Sequence, residues 1–332
     1  MAIVNRNEVD GYEKLDFDTL AEAGRVRLKK PRARMTSTDP IEPTEGYLAV
    51  PGGRLHFLDW GGAGHPAHFL HGNGFCAGTY APFIRHLSGK LHITASDVRG
   101  HSGSEFETLE RIRNWRVFAE DINLLIRGTQ TPPVIGMGHS LGAVATAIAA
   151  ASYPELFRAL VLIDPVFLPR RILWKAAGMR LLGLAGAWPR AARARKRRRV
   201  FNGKADAFRY FVARGIFKSW SPEFVQAYLE CGILEKDEQT AVLRCDPELE
   251  AQIFESVPLD VWSQCRKISC PVLAVRGEQS DVFLKEAAVR LARTAVDCEV
   301  VTIPGCGHFL TMEKPEPCAQ VIRDYLSRRL RP

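Results

Sequence analysis

The sequence predicts an α/β protein that is built on a mostly parallel sheet with helices on both faces. Short runs that are apolar on both faces recur along the chain, and each ends in Gly or Asp. Helical stretches separate these runs, which is the alternation typical of a parallel sheet covered on both sides. The length of 332 residues is enough for one large core with an insertion.

Eight strands and the helices between them can be placed along the chain. The strands are, in order, YLAV, RLHFLDWG, AHFLHG, HITASDV, PPVIGMGHS, ALVLIDP, CPVLAVRGE and CEVVTIPG. The first two form a hairpin that turns at Pro51-Gly52-Gly53. Helices are predicted at YAPFIRHL, WRVFAEDINLLIRG and LGAVATAIAAASYP, and one more follows each of the last two strands.

The order of the strands also predicts the domain organisation. A long interruption between the sixth and seventh strands is helical, aromatic and basic. We therefore expect a helical lid, residues 166–265, inserted after the sixth strand of an eight-stranded sheet. Residues 47–165 and 266–332 would form the core. Residues 1–46 begin with a polar stretch of weak periodicity, so we expect an N-terminal extension that is disordered or peripheral.

The composition excludes several classes of protein. Apolar residues make up 46% and charged residues 25% of the chain, which fits a soluble globular protein. No run is apolar for long enough to cross a bilayer, and the N-terminus lacks the apolar core of a secretory signal. Eight cysteines show no CxxC spacing, so we expect free thiols in the reducing cytoplasm and no zinc site.

The net charge of +8 has a local origin. Eleven Lys and Arg residues and no acid lie between Val166 and Val200, and seven of these cations fall within Arg190–Arg199. A solvated face of the lid is one interpretation, because charge runs are usually solvated. A second is contact with an anionic membrane that feeds apolar esters into the site. A third is recognition of an anionic substrate group. Nucleic-acid binding is not expected, since no recognised module accompanies the run.

The segment Gly138-His139-Ser140-Leu141-Gly142 places a serine where a predicted strand ends and a predicted helix begins. Glycines two positions before and after the serine allow the flanking backbones to approach closely. Such a turn raises the serine Oγ above the sheet and leaves the Leu141 N–H at a helix N-terminus, where it can donate to an anion. The pattern predicts that Ser140 is a nucleophile.

A serine nucleophile needs a base, and the base needs an orienting acid. His308 is the one histidine that follows His139 in the chain, and it lies in a Gly-rich loop after the last strand. Two carboxylates compete for the third role. Asp281 follows the seventh strand and Asp164 ends the sixth, so both are expected at the edge of the sheet where catalytic groups gather. We favour Asp281, because Asp164 with Pro165 can instead turn the chain into the lid.

The same edge of the sheet supplies candidates for binding. FLHGNGF follows an early strand, and its glycines allow the Asn73 N–H to join the Leu141 N–H in an oxyanion hole. Further candidates for substrate contact are Phe75 and His139 beside these groups, and four aromatic residues of the lid, namely Phe208, Phe211, Phe217 and Trp220. Core packing explains the four lid aromatics equally well.

Five segments together resemble the α/β-hydrolase superfamily, and they appear in that family's order. They are HGNGF at 71–75, DVRGHSGS at 97–104, GHSLG at 138–142, GEQSD at 277–281 and GCGHF at 305–309. The resemblance covers roughly Tyr47 to Leu330. It implies the α/β-hydrolase fold, a catalytic triad of Ser140, Asp281 and His308, and neither a metal nor an organic cofactor. Haloalkane dehalogenases and epoxide hydrolases of this superfamily have an aspartate nucleophile where this chain has Ser140, which argues against both activities.

We therefore expect a cytoplasmic serine hydrolase that cleaves a carboxylic ester with an apolar acyl or alcohol part. Its partner would be the small-molecule ester, with peripheral contact to an anionic membrane through Arg190–Arg199 as the alternative described above. Two other functions stay open. One is hydrolysis of a carbon–carbon bond of the meta-cleavage type, and the other is a non-catalytic hydrolase-like receptor or binding protein. The sequence leaves the oligomeric state open.

Overall fold

The fold is described for residues 27–29, 42–212 and 214–330 of a computed structural model, the first range by its backbone alone. The strands are β1 (Arg27–Lys29), β2 (Thr44–Val50), β3 (Gly53–Asp59), β4 (His65–Leu70), β5 (Leu91–Ser96), β6 (Glu105–Phe106), β7 (Val134–His139), β8 (Phe157–Ile163), β9 (Val200–Phe201), β10 (Ile233–Asp237), β11 (Thr240–Leu243), β12 (Val272–Gly277) and β13 (Cys298–Ile303).

Helices alternate with these strands. They are α1 (Ala81–Arg85), α2 (Arg116–Thr129), α3 (Leu141–Ser152), α4 (Arg170–Leu181), α5 (Pro189–Arg195), α6 (Gly203–Val212), α7 (Pro222–Gly232), α8 (Pro247–Glu255), α9 (Val261–Cys265), α10 (Lys285–Thr294), α11 (Leu310–Glu313) and α12 (Pro315–Arg329). Short 3₁₀ turns cover Ala77–Tyr80, Pro154–Leu156, Ala185–Ala187 and Gly215–Ser219. Within the described ranges, no helix is long and apolar enough to cross a membrane.

Ten of the strands in the described ranges form one sheet. Its order is β1-β2-β3-β5-β4-β7-β8-β12-β13, with β6 paired to β3. Neighbours from β5 to β13 are parallel, whereas β1, β2, β3 and β6 form an antiparallel edge. The mostly parallel sheet is confirmed, and all eight predicted strands are present.

The predicted number of eight strands is wrong, because two short strands join the edge of the sheet. The two-residue strand β6 pairs with β3. The three-residue strand β1 pairs with β2, although it falls in the segment that was expected to be disordered or peripheral. The other residues before Glu42 lie outside the described residues.

The centre of the sheet is packed on both faces, and small residues make this possible. Strand β7 is buried along its whole length, and every residue of α3 from Leu141 to Ala150 is buried as well. A Cβ at Gly136 would lie 2.7 Å from the Phe157 ring and 2.8 Å from the Thr146 side chain. Helix α3 can therefore approach the sheet closely only because the sequence is rich in Ala and Gly at this point.

The segment between β8 and β12, which we call the insertion (residues 166–265), differs from the purely helical element that was expected. It contains α4 to α9 together with a small antiparallel sheet in the order β10-β11-β9. A disulfide joins Cys231 at the end of α7 to Cys76 in the core, so the expectation of eight free thiols is wrong. The other six cysteines are free.

Candidate active site

Ser140 lies on a strained turn between β7 and α3. Its φ of 57° and ψ of −114° are in a region that residues with a side chain rarely adopt. Both flanking positions require glycine, because a Cβ at either one would clash with neighbouring backbone atoms. A Cβ at Gly138 would lie 2.4 Å from the backbone of Gly142, and a Cβ at Gly142 would lie 2.0 Å from the Leu70 carbonyl oxygen. The strand, the turn and the helix can therefore meet only with glycine at both positions.

One imidazole contacts both the serine and a carboxylate. His308 Nε2 lies 3.0 Å from Ser140 Oγ, and its Nδ1 lies 2.8 Å from Asp164 Oδ1. Asp164 is fully buried at the end of β8. It also accepts hydrogen bonds from the Gly277 N–H at 2.9 Å and from the Ser280 hydroxyl at 2.5 Å. Three donors therefore hold this carboxylate in one orientation.

The structure corrects the choice of Asp281 as the acid. The Asp281 side chain is 75% exposed, and its Oδ2 accepts a hydrogen bond from Arg190 Nη2 at 2.9 Å. Its neighbour Ser280 is buried instead, where its Oγ accepts the N–H groups of Val282 and Phe283. Because Ser280 takes the inward position in this loop, Asp281 points toward the insertion, and the carboxylate at His308 is that of Asp164.

Two residues that line the cavity with Ser140, Asn73 and Leu141, have backbone N–H groups for which the described residues supply no acceptor. In the loop after β4, the Gly72 N–H donates to Tyr80 Oη and the Gly74 N–H donates to His101 Nε2. Over the described residues, the Asn73 N–H has no such acceptor. The Leu141 N–H belongs to the first turn of α3, where helices leave donors unpaired. Asn73, Leu141 and Ser140 line the same cavity, so both N–H groups are available to an anion there.

His139, which the sequence placed among the substrate contacts, connects His308 to Tyr80. It is fully buried, and its Nε2 donates to the His308 carbonyl oxygen at 2.8 Å. Its Nδ1 lies 2.7 Å from the Tyr80 hydroxyl, which also accepts the Gly72 N–H. Burial, together with the neighbouring His308, lowers the pKa of His139 well below its usual value. A neutral imidazole therefore links the loop after β4 to His308 through the Tyr80 hydroxyl, a contact that sequence reasoning missed.

Asp97 holds the segment that follows the loop of Asn73. It accepts hydrogen bonds from His56 Nδ1 at 2.6 Å and from the Ala77 N–H at 2.7 Å. Burial alone would raise the pKa of Asp97, but the hydrogen bond and charge of His56 lower it to about 2. An ionised carboxylate thus holds the start of the segment that follows the glycine loop.

The groups around Ser140 open into a small apolar cavity with a volume of about 100 Å³. It is lined by Gly72, Asn73, Phe75, Trp115, His139, Ser140, Leu141, Val166, Leu168, Trp188, Arg190, Ile253, Phe254, Val257, Asp281, Val282, His308 and Phe309. Phe75 and His139 are therefore among the lining residues, and their contact with a substrate stays a prediction.

The four aromatic residues proposed from the insertion do not line this cavity. Phe211, Phe217 and Trp220 are buried in the core, and the Trp220 ring packs behind Phe75 with 5.6 Å between the ring centroids. Phe208 is exposed at the surface. Core packing thus explains Phe211, Phe217 and Trp220, but not Phe208.

The basic run is mostly neutralised inside the protein. Five of its seven cations form ion pairs, namely Arg190 with Asp281, Arg195 with Glu248 and Glu255, Arg197 with Glu250, Arg198 with Asp206, and Arg199 with Asp246. Arg193 and Lys196 are exposed. Contact with an anionic membrane through Arg190–Arg199 stays a prediction. Across the described residues, no group of three or more His, Cys, Asp and Glu side chains is arranged to hold a metal ion.

Comparison with known proteins agrees with this fold. Residues 69–321 match the model of a family described as the alpha/beta hydrolase family. The chain is 27% identical over 265 residues to a 2-(acetamidomethylene)succinate hydrolase of Mesorhizobium japonicum, covering 80% of this chain and 89% of that protein. The crystal structure of an E-2-(acetamidomethylene)succinate hydrolase is similar with a TM-score of 0.70 and 25% identity, covering 86% of this chain and 99% of the other. An M. tuberculosis esterase has the same fold, with a TM-score of 0.65 at 21% identity, over 86% and 92% of the two chains.

Proposed function

The chain belongs to the alpha/beta hydrolase family, and we propose that it is a serine hydrolase of carboxylic esters with an apolar acyl or alcohol part. One observation carries the proposal: a single imidazole contacts both Ser140 and the buried Asp164 in the wall of an apolar cavity. This is the arrangement in which a base can take the serine proton while a carboxylate stabilises the resulting imidazolium.

Each step of the reaction has a group in position. Ser140 Oγ attacks the ester carbonyl while His308 Nε2 takes the hydroxyl proton. The Asn73 and Leu141 N–H groups stabilise the oxyanion. His308 then gives the proton to the leaving alcohol, which leaves an acyl group on Ser140. Water, activated by the same imidazole, releases the acid and restores the serine. Asp164 keeps the Nδ1 proton of His308 in place throughout.

The insertion supplies much of the apolar wall, and we propose that it acts as a lid over a core of residues 47–165 and 266–332. Its residues in the cavity are Val166, Leu168, Trp188, Arg190, Ile253, Phe254 and Val257. A cytoplasmic location also stays a prediction. The disulfide between Cys76 and Cys231 weighs against it, because disulfides are rare in reducing compartments.

Two other functions remain as candidates. The match to a 2-(acetamidomethylene)succinate hydrolase favours hydrolysis of bonds other than simple esters as the second candidate, which includes the carbon–carbon bond hydrolysis that the sequence left open. A non-catalytic receptor stays a third possibility, since a receptor of this fold retains the pocket without turnover.

Labelling with a fluorophosphonate probe tests the proposal directly. The parent protein is expected to be labelled, and Ser140→Ala is expected to lose both the label and the hydrolysis of p-nitrophenyl esters. Ser219→Ala, which changes an exposed serine of the insertion, is the matched control. The rates of hydrolysis of p-nitrophenyl esters with increasing acyl chain length then show how long an acyl group the cavity accepts. Labelling or turnover that persists in Ser140→Ala would contradict the scheme, and a folded parent without either would favour the receptor.

Membrane contact is tested separately, by flotation with vesicles. Binding to anionic vesicles and not to zwitterionic ones is expected, and it should weaken with added salt. Replacing the exposed Arg193 and Lys196 together by Ser should reduce it without breaking any of the five ion pairs of the run. A parent protein that does not float with anionic vesicles would end this proposal.

A further inference from the structure

The cavity beside Ser140 holds one cation and one carboxylate besides the catalytic groups. These are Arg190 at the start of α5 and Asp281 in the loop after β12. The rest of the described lining is apolar, backbone, or part of the machinery around Ser140. Arg190 and Asp281 pair with each other at 2.9 Å, so the contact runs from the insertion to the core across the cavity wall.

This ion pair is poorly suited to a structural role. The two side chains are 39% and 75% exposed, and exposed pairs contribute little to stability. The cations nearby are held differently: Arg197 contacts both Glu250 and the buried Tyr228 hydroxyl, and Arg195 bridges Glu248 and Glu255. In the described structure Arg190 has Asp281 as its one partner, and a guanidinium carries five N–H donors. Most of its donor capacity therefore remains available.

The loop that carries Asp281 also supports the catalytic acid. Ser280 donates to Asp164, and Val282, on the other side of Asp281, lines the cavity. The position of Asp281 is thus fixed relative to His308 and Ser140. A negative group that took its place beside Arg190 would be held in a defined register with the reacting serine.

We propose that Arg190 binds a carboxylate on the substrate, and that Asp281 occupies this place until the substrate displaces it. The substrate class is then a monoester whose acyl or alcohol part is apolar along its length and ends in a carboxylate. A single charge fits the site, because Arg190 is the one Lys or Arg of the described lining and its partner there is a single carboxylate. This inference rests on the proposed function, since it concerns the substrate of the same serine.

Two esters of similar length, one with a charged end and one with a neutral end, test the inference. p-Nitrophenyl hydrogen succinate ends in a carboxylate, and p-nitrophenyl 4-methylpentanoate ends in an isopropyl group of the same shape. The measured quantity is the ratio of kcat/KM for the charged ester to that for the neutral ester. Arg190→Gln is expected to lower this ratio about 10- to 100-fold, the effect of removing a charge-assisted bidentate contact. Asp281→Asn is expected to raise it about two- to fivefold, because the competing carboxylate is gone.

Arg193→Gln is the matched control. It removes an equal charge from the same helix, at an exposed position outside the cavity. We expect its ratio to stay within about twofold of the parent, as weak long-range steering predicts. A ratio that falls equally in Arg190→Gln and Arg193→Gln would show general electrostatic attraction and overturn the inference, as would equal loss of activity toward both esters in Arg190→Gln.

A binding measurement separates failure of this inference from failure of the proposed function. Succinamate carries the same carboxylate on an amide, and calorimetric titration reads its binding without turnover. Its Kd is expected to rise at least about tenfold in Arg190→Gln. If the parent hydrolyses neither ester but binds succinamate through Arg190, the proposed function fails and the anion site stands. If the parent is labelled at Ser140 but does not bind succinamate, or binds it equally well in Arg190→Gln, the anion site fails alone.

Discussion

Replacing Asp164 by Asn should nearly abolish activity, and the structure shows why. Asp164 accepts three hydrogen bonds, from His308, Ser280 and the Gly277 N–H. Asparagine offers one oxygen in place of two. If that oxygen stays on the Gly277 N–H, the amide NH₂ faces His308 Nδ1 and forces the imidazole proton onto Nε2. His308 can then no longer accept the proton of Ser140.

The opposite orientation of the asparagine has its own cost. With the oxygen toward His308, the NH₂ group faces the Gly277 N–H, and two buried donors meet without an acceptor, at about 1–3 kcal/mol. The tautomer of His308 is therefore expected to switch. In serine proteases the same change lowers kcat about 10⁴-fold, which is about 5 kcal/mol of transition-state stabilisation, and we expect that magnitude here.

Steady-state hydrolysis of a p-nitrophenyl ester at neutral pH measures the effect, with thermal unfolding to verify that the variant is folded. Asp281→Asn is the matched comparison, because it makes the same chemical change at the exposed carboxylate. We expect its kcat to change less than about fivefold, the range of a surface ion pair. A loss of 10³-fold or more in Asp281→Asn, with Asp164→Asn within about tenfold of the parent, would refute the assignment of Asp164 and restore Asp281.

Two further predictions concern stability. Burial lowers the pKa of His68 to about 4, so between about pH 6.5 and pH 4 the unfolded chain binds a proton that the folded protein does not. The free energy of unfolding should therefore decrease as the pH is lowered through this window, by about 1.4 kcal/mol per pH unit from this group. Equal free energies of urea unfolding at pH 7 and pH 5 would contradict the prediction. Cys231→Ser should lower the free energy of unfolding by about 2–5 kcal/mol, because the bridge to Cys76 constrains 155 residues of the unfolded chain. A loss no larger than that of Cys270→Ser, which removes a free thiol, would show that the bridge does not stabilise the fold.

The sequence predicts those parts of the site that a local pattern encodes. Ser140 is found because the strand, the two glycines and the helix are consecutive in the chain, and the close contacts of Gly138 and Gly142 explain why that spacing is required. His308 is found because one histidine follows the last strand. The same reasoning locates the loop of Asn73, since a glycine on each side marks a close approach of the backbone.

The choice between the two carboxylates was wrong because it depends on neighbours that are distant in sequence. Strands β8 and β12 are adjacent and parallel in the sheet, although the insertion separates them along the chain. Asp164 and Asp281 therefore follow neighbouring strand ends. What decides between them is that Ser280 turns inward and donates to Asp164, which has a φ of 39° and whose carboxylate contacts His308. Neither feature leaves a signal in the local pattern, and the bridge from Cys76 to Cys231 is hidden for the same reason.

The cations of the insertion are a second case in which the sequence does not reveal which residues are partners. The sequence alone locates the cations between Val166 and Val200, and it suggests a basic surface. In the structure these cations have different partners. Acids of α8 and of the turn before it pair with Arg195, Arg197 and Arg199. Arg190 pairs instead with Asp281 of the core. Arg190 pairs with an exposed aspartate beside the cavity, so on the proposal made above it is the cation whose partner a substrate replaces. Asp281, which the sequence favoured as the acid that orients His308, would then be the internal competitor for the substrate's charge.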